Sequence, residues 1–345
     1  FNHLKADFAA RQILSTLSGL SVNQTTNAHT TAIIFGSNRK PQSQFVYTDL
    51  ATGARYHGSD KPQWQDNGKG EPFEYDHVAF PGYEYKLGKS SYRGDDPSEG
   101  GYVYAEPGMY EDVALIDVAS MHPSSIENLE MFGPYTKKFS DIKQARVHIK
   151  RKEYEAVRKM FDGALAKYLE SDDDATALST ALKIAINSVY GLTAAHFDNP
   201  FRDIRNVDNI VAKRGALFMI DLRHFVQERG FTVVHIKTDS IKIANATPEI
   251  IEEVMEFGQQ YGYEFEHEAT YEKLCLVNNA VYVAKTKPGR KPSYWTATGA
   301  QFIHPVVFKT LFSKEPVTFE DYCETKTVTT ALYLDYHPED PEMTE

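Results

Sequence analysis

Cysteine is almost missing from this chain: only Cys275 and Cys323 occur among 345 residues. Two cysteines so far apart offer neither a disulfide framework nor paired zinc-ligand spacing, and the twelve histidines add no Cys/His pairing. A structural zinc module is therefore excluded, and a reducing, cytoplasmic setting fits. No apolar run is long enough to cross a bilayer, and no N-terminal signal pattern is present, so the sequence implies no membrane partner. An excess of basic residues is also lacking: 37 Lys and Arg stand against 48 Asp and Glu, a net charge of −11. That balance looks wrong for binding phosphates, which need Lys and Arg.

The distribution of charge resolves most of that conflict. Residues 314–345 hold nine acids against Lys314 and Lys326, a local charge of −7, whereas residues 137–167 hold ten bases against four acids, a local charge of +6. With 41% apolar and 25% charged residues, the chain is ordinary for a globular protein large enough for two or three compact units.

Two short stretches carry the chemistry. Asp117-Val-Ala-Ser-Met-His-Pro-Ser124 follows the apolar run Val113–Ile116, and Lys237-Thr-Asp-Ser240 follows Phe231–Ile236. Such β-rich runs predict buried strands, each ending in a carboxylate. Paired carboxylates on rigid elements suit a site for hard divalent cations, which take oxygen ligands and leave positions open for phosphate and water. Between them lies Lys183-Ile-Ala-Ile-Asn-Ser-Val-Tyr-Gly191. Leu182, Ile186 and Val189 share one helix face, while Lys183, Asn187 and Tyr190 form the neighbouring stripe. Gly191 is the expected end of that helix. A lysine there can meet a phosphate, and a tyrosine can stack on a base or sugar.

In order and spacing these stretches resemble motifs A, B and C of the family B DNA polymerases, whose patterns are D-x-x-S-L-Y-P-S, K-x-x-x-N-S-x-Y-G and Y-x-D-T-D-S. The second is matched throughout. The first keeps Asp117, Ser120, Pro123 and Ser124, with Met121 and His122 for Leu and Tyr; the third keeps Thr238, Asp239 and Ser240, with His235 and Lys237 for Tyr and the first Asp. The resemblance covers roughly residues 100–310 and is closest to the phage branch of the family, in the cytoplasm of a bacterial host.

What the resemblance implies is an α+β polymerase palm with an antiparallel sheet and helical fingers. The activity implied is Mg²⁺-dependent transfer of a nucleotide from a dNTP to a primer 3′-OH on primer–template DNA, alongside other replisome proteins. Asp117 and Asp239, with the Val118 carbonyl, are the implied ligands of two Mg²⁺ ions, with Mn²⁺ as an alternative. Lys183, Arg146 and Lys150 correspond to groups on the triphosphate; Ser120, His122, Asn187 and Tyr190 would border the incoming nucleotide. His122 replaces the tyrosine beneath the sugar ring and, as a histidine, is expected to titrate near neutrality. Tyr282 matches the end of the segment that holds the primer terminus, with Lys285 as substitute for its missing lysines. The runner-up reading is a catalytically silent palm that binds only DNA or a replication partner, suggested by Lys237 and by the altered first motif.

The corresponding organisation is an N-terminal region at 1–99, ending an exonuclease domain and its linker, with His3–Asp7 resembling an exonuclease motif. Palm segments follow at 100–139 and 192–310 around fingers at 140–191, and the acidic stretch 311–345 begins a thumb. Within this frame, Gly100–Tyr110 reads as a β-hairpin, and Ser124–Glu127 as a capping box that opens a helix directly after Asp117. Residues 140–191 read as an αα-hairpin with Ser171–Asp174 at its tip. Further helices are expected at 4–19, 210–229 and 248–261, and a hairpin at 231–243.

Overall fold

The computed structural model describes residues 2–58, 78–289, 292–302 and 305–323, with side chains from residue 8 onward except at 301 and 312. The exonuclease-like side chains at His3 and Asp7, and the acidic stretch from 324 to 345, lie outside the described part. Two helices open the chain, α1 (Asn2–Ser18) and α2 (Thr26–Phe35), followed by two small hairpins, β1 (Val46–Thr48) with β2 (Arg55–His57) and β3 (Glu84–Lys86) with β4 (Lys89–Ser91). Helix α2 was not expected; Thr25 caps it by accepting from the Ala28 N–H. Its five buried residues explain why it holds in a segment rich in turn formers.

Next come β5 (Val103–Ala105), β6 (Gly108–Val118), and the helices α3 (Met121–Asn128), α4 (Thr136–Lys150), α5 (Tyr154–Arg158), α6 (Asp172–Thr193) and α7 (Ile210–Glu228). The chain continues through β7 (Thr232–Lys237), β8 (Ser240–Ala244), α8 (Pro248–Gln260), β9 (Phe265–Asn278), β10 (Val281–Thr286), β11 (Trp295–Thr298) and the short α9 (Pro305–Phe308). Seven of these strands form one sheet in the order β11-β10-β9-β6-β8-β7-β5, antiparallel throughout. The mixed α+β class expected from the sequence is observed. None of the helices is long and apolar enough to cross a membrane, among the described residues.

The sheet's central strand, β6, lies between β8 and β9. Its alternate residues Ala114, Ile116 and Val118 join Val233, Ile236, Ile241 and Ile243 in the large core, together with Phe218 and Leu222 of α7. Helix α7 is buried nearly all round, even at Lys213 and Arg214. Such a helix must be enclosed by protein on several sides. Arg214 is accommodated by donating to the Tyr261 carbonyl at 2.8 Å and lying over the Tyr263 ring at 5.0 Å.

Four local expectations need correcting. Gly100–Tyr110 is not a hairpin: β5 pairs with β7 at the sheet edge, while β6 pairs with β8 and β9. The helix after Asp117 starts at Met121, with Ser120 as a left-handed N-cap (φ 64°) that makes no side-chain cap bond, so Ser124 lies inside it and forms no capping box. Gly191 does not end α6, which runs two residues further to Thr193 before Ala194 caps it. The acids at 172–174 form the first turn of α6, where they face the positive end of the helix dipole, and Ser171 caps that turn by accepting from the Asp174 N–H. Short helical turns between 151 and 171, rather than a tight acidic tip, join α4 to α6.

Candidate active site

Strand register brings the two carboxylates together. Asp117, near the end of β6, is opposite Ser240 on β8, and Asp239 precedes Ser240 in the β7–β8 turn. Thr238 turns the chain with φ 56°, and the Val118 N–H donates to the Asp239 carbonyl at 2.8 Å, locking the two strand ends. Gly101 is needed beside this turn: a Cβ there would stand 2.8 Å from Thr238 Cγ2, in a backbone geometry (φ 146°) that side chains avoid. The Gly-Gly segment therefore serves to let β5 close on the carboxylate turn.

Asp117 is half-buried, and its carboxyl is pushed up to about 7 by burial first, then by the negative charges of Asp239, Glu268 and Glu266, against an opposing pull from Lys242. Glu266 faces Asp117 across the β6–β9 ladder. No group of three or more His, Cys, Asp or Glu side chains is gathered as a metal set among the described residues. A pair of carboxylates nonetheless fits Mg²⁺, which uses one or two carboxylates plus phosphate and water rather than a protein cage. A carboxyl raised by burial and by its anionic neighbours is one that a nearby cation would bring back down.

The first and second motifs meet through their rings. His122 and Tyr190 stack with centroids 4.1 Å apart and planes within 8°. Burial holds the His122 imidazole below its ordinary range, with Asp239 opposing, and its Nδ1 is buried without a partner. Burial therefore moves the His122 titration to the acid side of where the sequence placed it, because burial favours the neutral ring. The Tyr190 hydroxyl accepts from Asn209 Nδ2 at 3.4 Å, and Asn209 also donates to the Glu99 carbonyl at 3.2 Å. Beyond Asn209 opens a polar cavity of about 530 Å³, lined by Ser90, Ser98, His196 and the buried Lys213 among others, but not by Asp117 or Asp239.

Lys183 and Asn187 are exposed on α6, on the stripe expected for them, while Ile186 and Val189 are buried. Helix α4 packs against α6. Its Arg146 is partly buried, with Nε unpartnered and its guanidinium depressed by burial. Lys150 is exposed in the last turn of α4. Lys143 ties α4 to α3 by donating to Ser124 Oγ at 2.9 Å and pairing with Glu127. Ser120 stands at the start of α3, three residues past Asp117. Tyr282 and Lys285 lie on β10; Tyr282 rests near Tyr271 and His235, whereas Lys285 is paired with Glu272 at 2.9 Å.

Glu266, Glu268, Lys242 and Asn209 escaped the sequence reading. Alternation along β8 puts Lys242 on the face of Ser240, but only the pairing of β8 with β6 brings that face to Asp117.

No protein-family model matches the chain, and no curated protein matches it. Among solved structures, one match is the family B DNA polymerase from the hyperthermophilic archaeon Pyrobaculum calidifontis, at 13% identity and a TM-score of 0.45. The match covers 88% of this chain but only 37% of that polymerase.

Proposed function

We propose that this chain supplies the palm and fingers of a template-directed DNA polymerase, transferring nucleotides from dNTPs to a primer 3′-OH. The observation that supports this most is the meeting of Asp117 and Asp239 at the ends of paired strands, locked by the Val118–Asp239 backbone bond. In this reading the palm comprises residues 100–139 and 192–310, and the fingers residues 140–191.

Asp117 and Asp239, with the Val118 carbonyl, would hold the Mg²⁺ ions. When bound, Mg²⁺ neutralises the triphosphate and makes the primer hydroxyl more acidic. Lys183, Arg146 and Lys150 bind the triphosphate as cations on two packed helices; the unpartnered Arg146 Nε leaves a donor for a phosphate oxygen. The His122–Tyr190 stack forms a flat floor, with His122 under the sugar and Tyr190 and Asn187 beside the nascent pair. Ser120 shapes the turn that separates Asp117 from that floor. Tyr282 contacts the primer terminus; Lys285, engaged with Glu272, must exchange partners to join it.

The test is primer extension in Mg²⁺ with the wild-type chain, Asp117→Asn and Asp239→Asn. Each variant is expected to lose about a hundredfold or more in turnover, the scale of removing one transition-state charge stabiliser. A folded variant that keeps more than about a tenth of wild-type turnover overturns the assignment.

A further inference from the structure

Lys242 is a buried cation for which the reaction above has no use. Only 3% of it is exposed. On β8 it lies opposite Leu115 of β6 and His235 of β7, two residues along the same face from Ser240, which is itself opposite Asp117. Its ammonium donates to His235 Nδ1 at 3.1 Å and sits 4.9 Å from the centroid of the Tyr282 ring. His235 Nε2 is 3.1 Å from the Asn279 carbonyl, so the ring carries its proton on Nε2 and leaves Nδ1 free to accept. The hydrogen-bond partner of this ammonium is thus a neutral imidazole, not a carboxylate.

Burying an ammonium against a neutral ring and an aromatic face costs free energy unless anions lie near. Burial first, and the like charge of Lys237 next, push its ammonium down to about 8, and the anions Asp117, Glu268 and Asp239, in that order, oppose them. Three of the four residues that set its charge balance thus belong to the carboxylate site or its rim. Solvent screens a buried charge weakly, so its field reaches any ion held between Asp117 and Asp239.

We infer that Lys242 is the resident counter-cation of the Asp117–Asp239 site and sets how strongly that site takes divalent metal. It attracts the carboxylates and repels the arriving ion, so the wild-type site binds metal more weakly than its two carboxylates alone would. This inference rests on the metal-binding role proposed for Asp117 and Asp239.

The experiment is a Mn²⁺ titration of the full chain, with free Mn²⁺ followed by electron paramagnetic resonance and no nucleotide or DNA present. Lys242→Met is expected to bind Mn²⁺ about tenfold more tightly than wild type, because one like charge is removed from a site of low effective dielectric. The gain should persist in roughly 0.5 M salt, unlike an exposed-charge effect. Lys242→Arg, which keeps the charge, should bind as wild type does. Tighter binding is a result that mere structural damage does not produce. Should Lys242→Met fail to fold, Lys242→Gln replaces it, since its amide can still donate to His235.

An affinity within about twofold of wild type, or weaker, overturns the inference, as the predicted loss of repulsion is much larger. If Asp117→Asn binds Mn²⁺ as tightly as wild type, the metal-site reading itself fails. Binding that Asp117→Asn abolishes but Lys242→Met leaves unchanged sinks the counter-cation alone.

Discussion

The two faces of the seven-stranded sheet are built from alternate residues of the same strands, yet they do opposite work. On β6, Ala114, Ile116 and Val118 enter the large core with α7, and each is at most 2% exposed. Val113 and Leu115 enter a smaller cluster with Val234, Tyr271 and Leu274, and the next residue on that side is Asp117. Along β6, β7 and β8 the first face is apolar and packed against α7, whereas β9 sets Thr270 and the exposed His267 beside it. The second changes within two residues from Val and Leu to a carboxylate rimmed by Glu266, Glu268, Asp239 and Lys242. Like charges can be held close only on a rigid support, and here the core on the opposite face supplies it.

That contrast can be broken first from the covered face. Phe218 is fully buried among the rings of Phe257, Tyr261, Tyr263 and Phe265. Phe218→Ala should cost about 3–5 kcal/mol, read from urea denaturation, through lost burial and the cavity left behind. A loss below about 1 kcal/mol would mean that α7 does not anchor the sheet.

From the other face, the clustered carboxylates should make the metal-free protein sensitive to pH. The Asp117 pKa is raised in the folded chain to about 7 from 3.8, so between these values the native state binds the proton and the unfolded state does not. Stability therefore falls as pH rises through that window and levels off above it. The full shift would correspond to about 4 kcal/mol. Asp117 is only half-buried and solvent screens its neighbours, which reduces the expectation to about 2 kcal/mol. In chelator, Asp117→Asn should flatten this part of the urea-midpoint profile; a slope equal to wild type would place the titration elsewhere.

The His122–Tyr190 stack joins the carboxylate strand to the α6 stripe, and its effect should be smaller. His122→Ala is expected to lower dNTP-over-rNTP discrimination in kcat/KM by about tenfold, the scale of removing a modest steric contact. His122→Tyr should sharpen it. Because burial lowers the His122 imidazole from its ordinary value, any change in the wild-type ratio with pH should lie on the acid side of that value. A change on the alkaline side would show that burial does not govern this ring in use.

On the neighbouring strands β10 and β9, Lys285 and Glu272 are a partly exposed pair. Glu272→Gln should change stability by less than about 1 kcal/mol. Any effect on primer extension should be a gain, since Lys285 is released toward the position proposed for the primer; a fall in extension would argue against that role.

Much of this arrangement could be read from residue order. The runs Val113–Ile116 and Phe231–Ile236 are buried strands because their composition admits little else, and the α6 stripe follows from helical spacing. The errors fell where local rules compete with tertiary contacts. Ser124–Glu127 has capping-box spacing, yet α3 begins earlier, with Met121 packed beside Gly215, where a Cβ would stand 2.6 Å from its sulfur. Gly191 looks like a terminator, but Leu192 and Thr193 are buried and carry α6 past it. Segment 100–110 has a hairpin's pattern, while the available partners for its two halves lie on different strands.

Sequence alone determined the strand-ending carboxylates, the stripe of Lys183, Asn187 and Tyr190, and the basic segment before them, since composition and periodicity are local properties. Tertiary structure decided which of these groups meet. Only the β6–β8 register puts Asp239 beside Asp117, and only the packing of α3 near α6 lays His122 on Tyr190. The same pairing brings Lys242 onto the carboxylate face, where its charge matters. Electrostatic energy depends on distance through space, and in a sheet that distance is fixed by strand order and register, to which separation along the chain gives no guide.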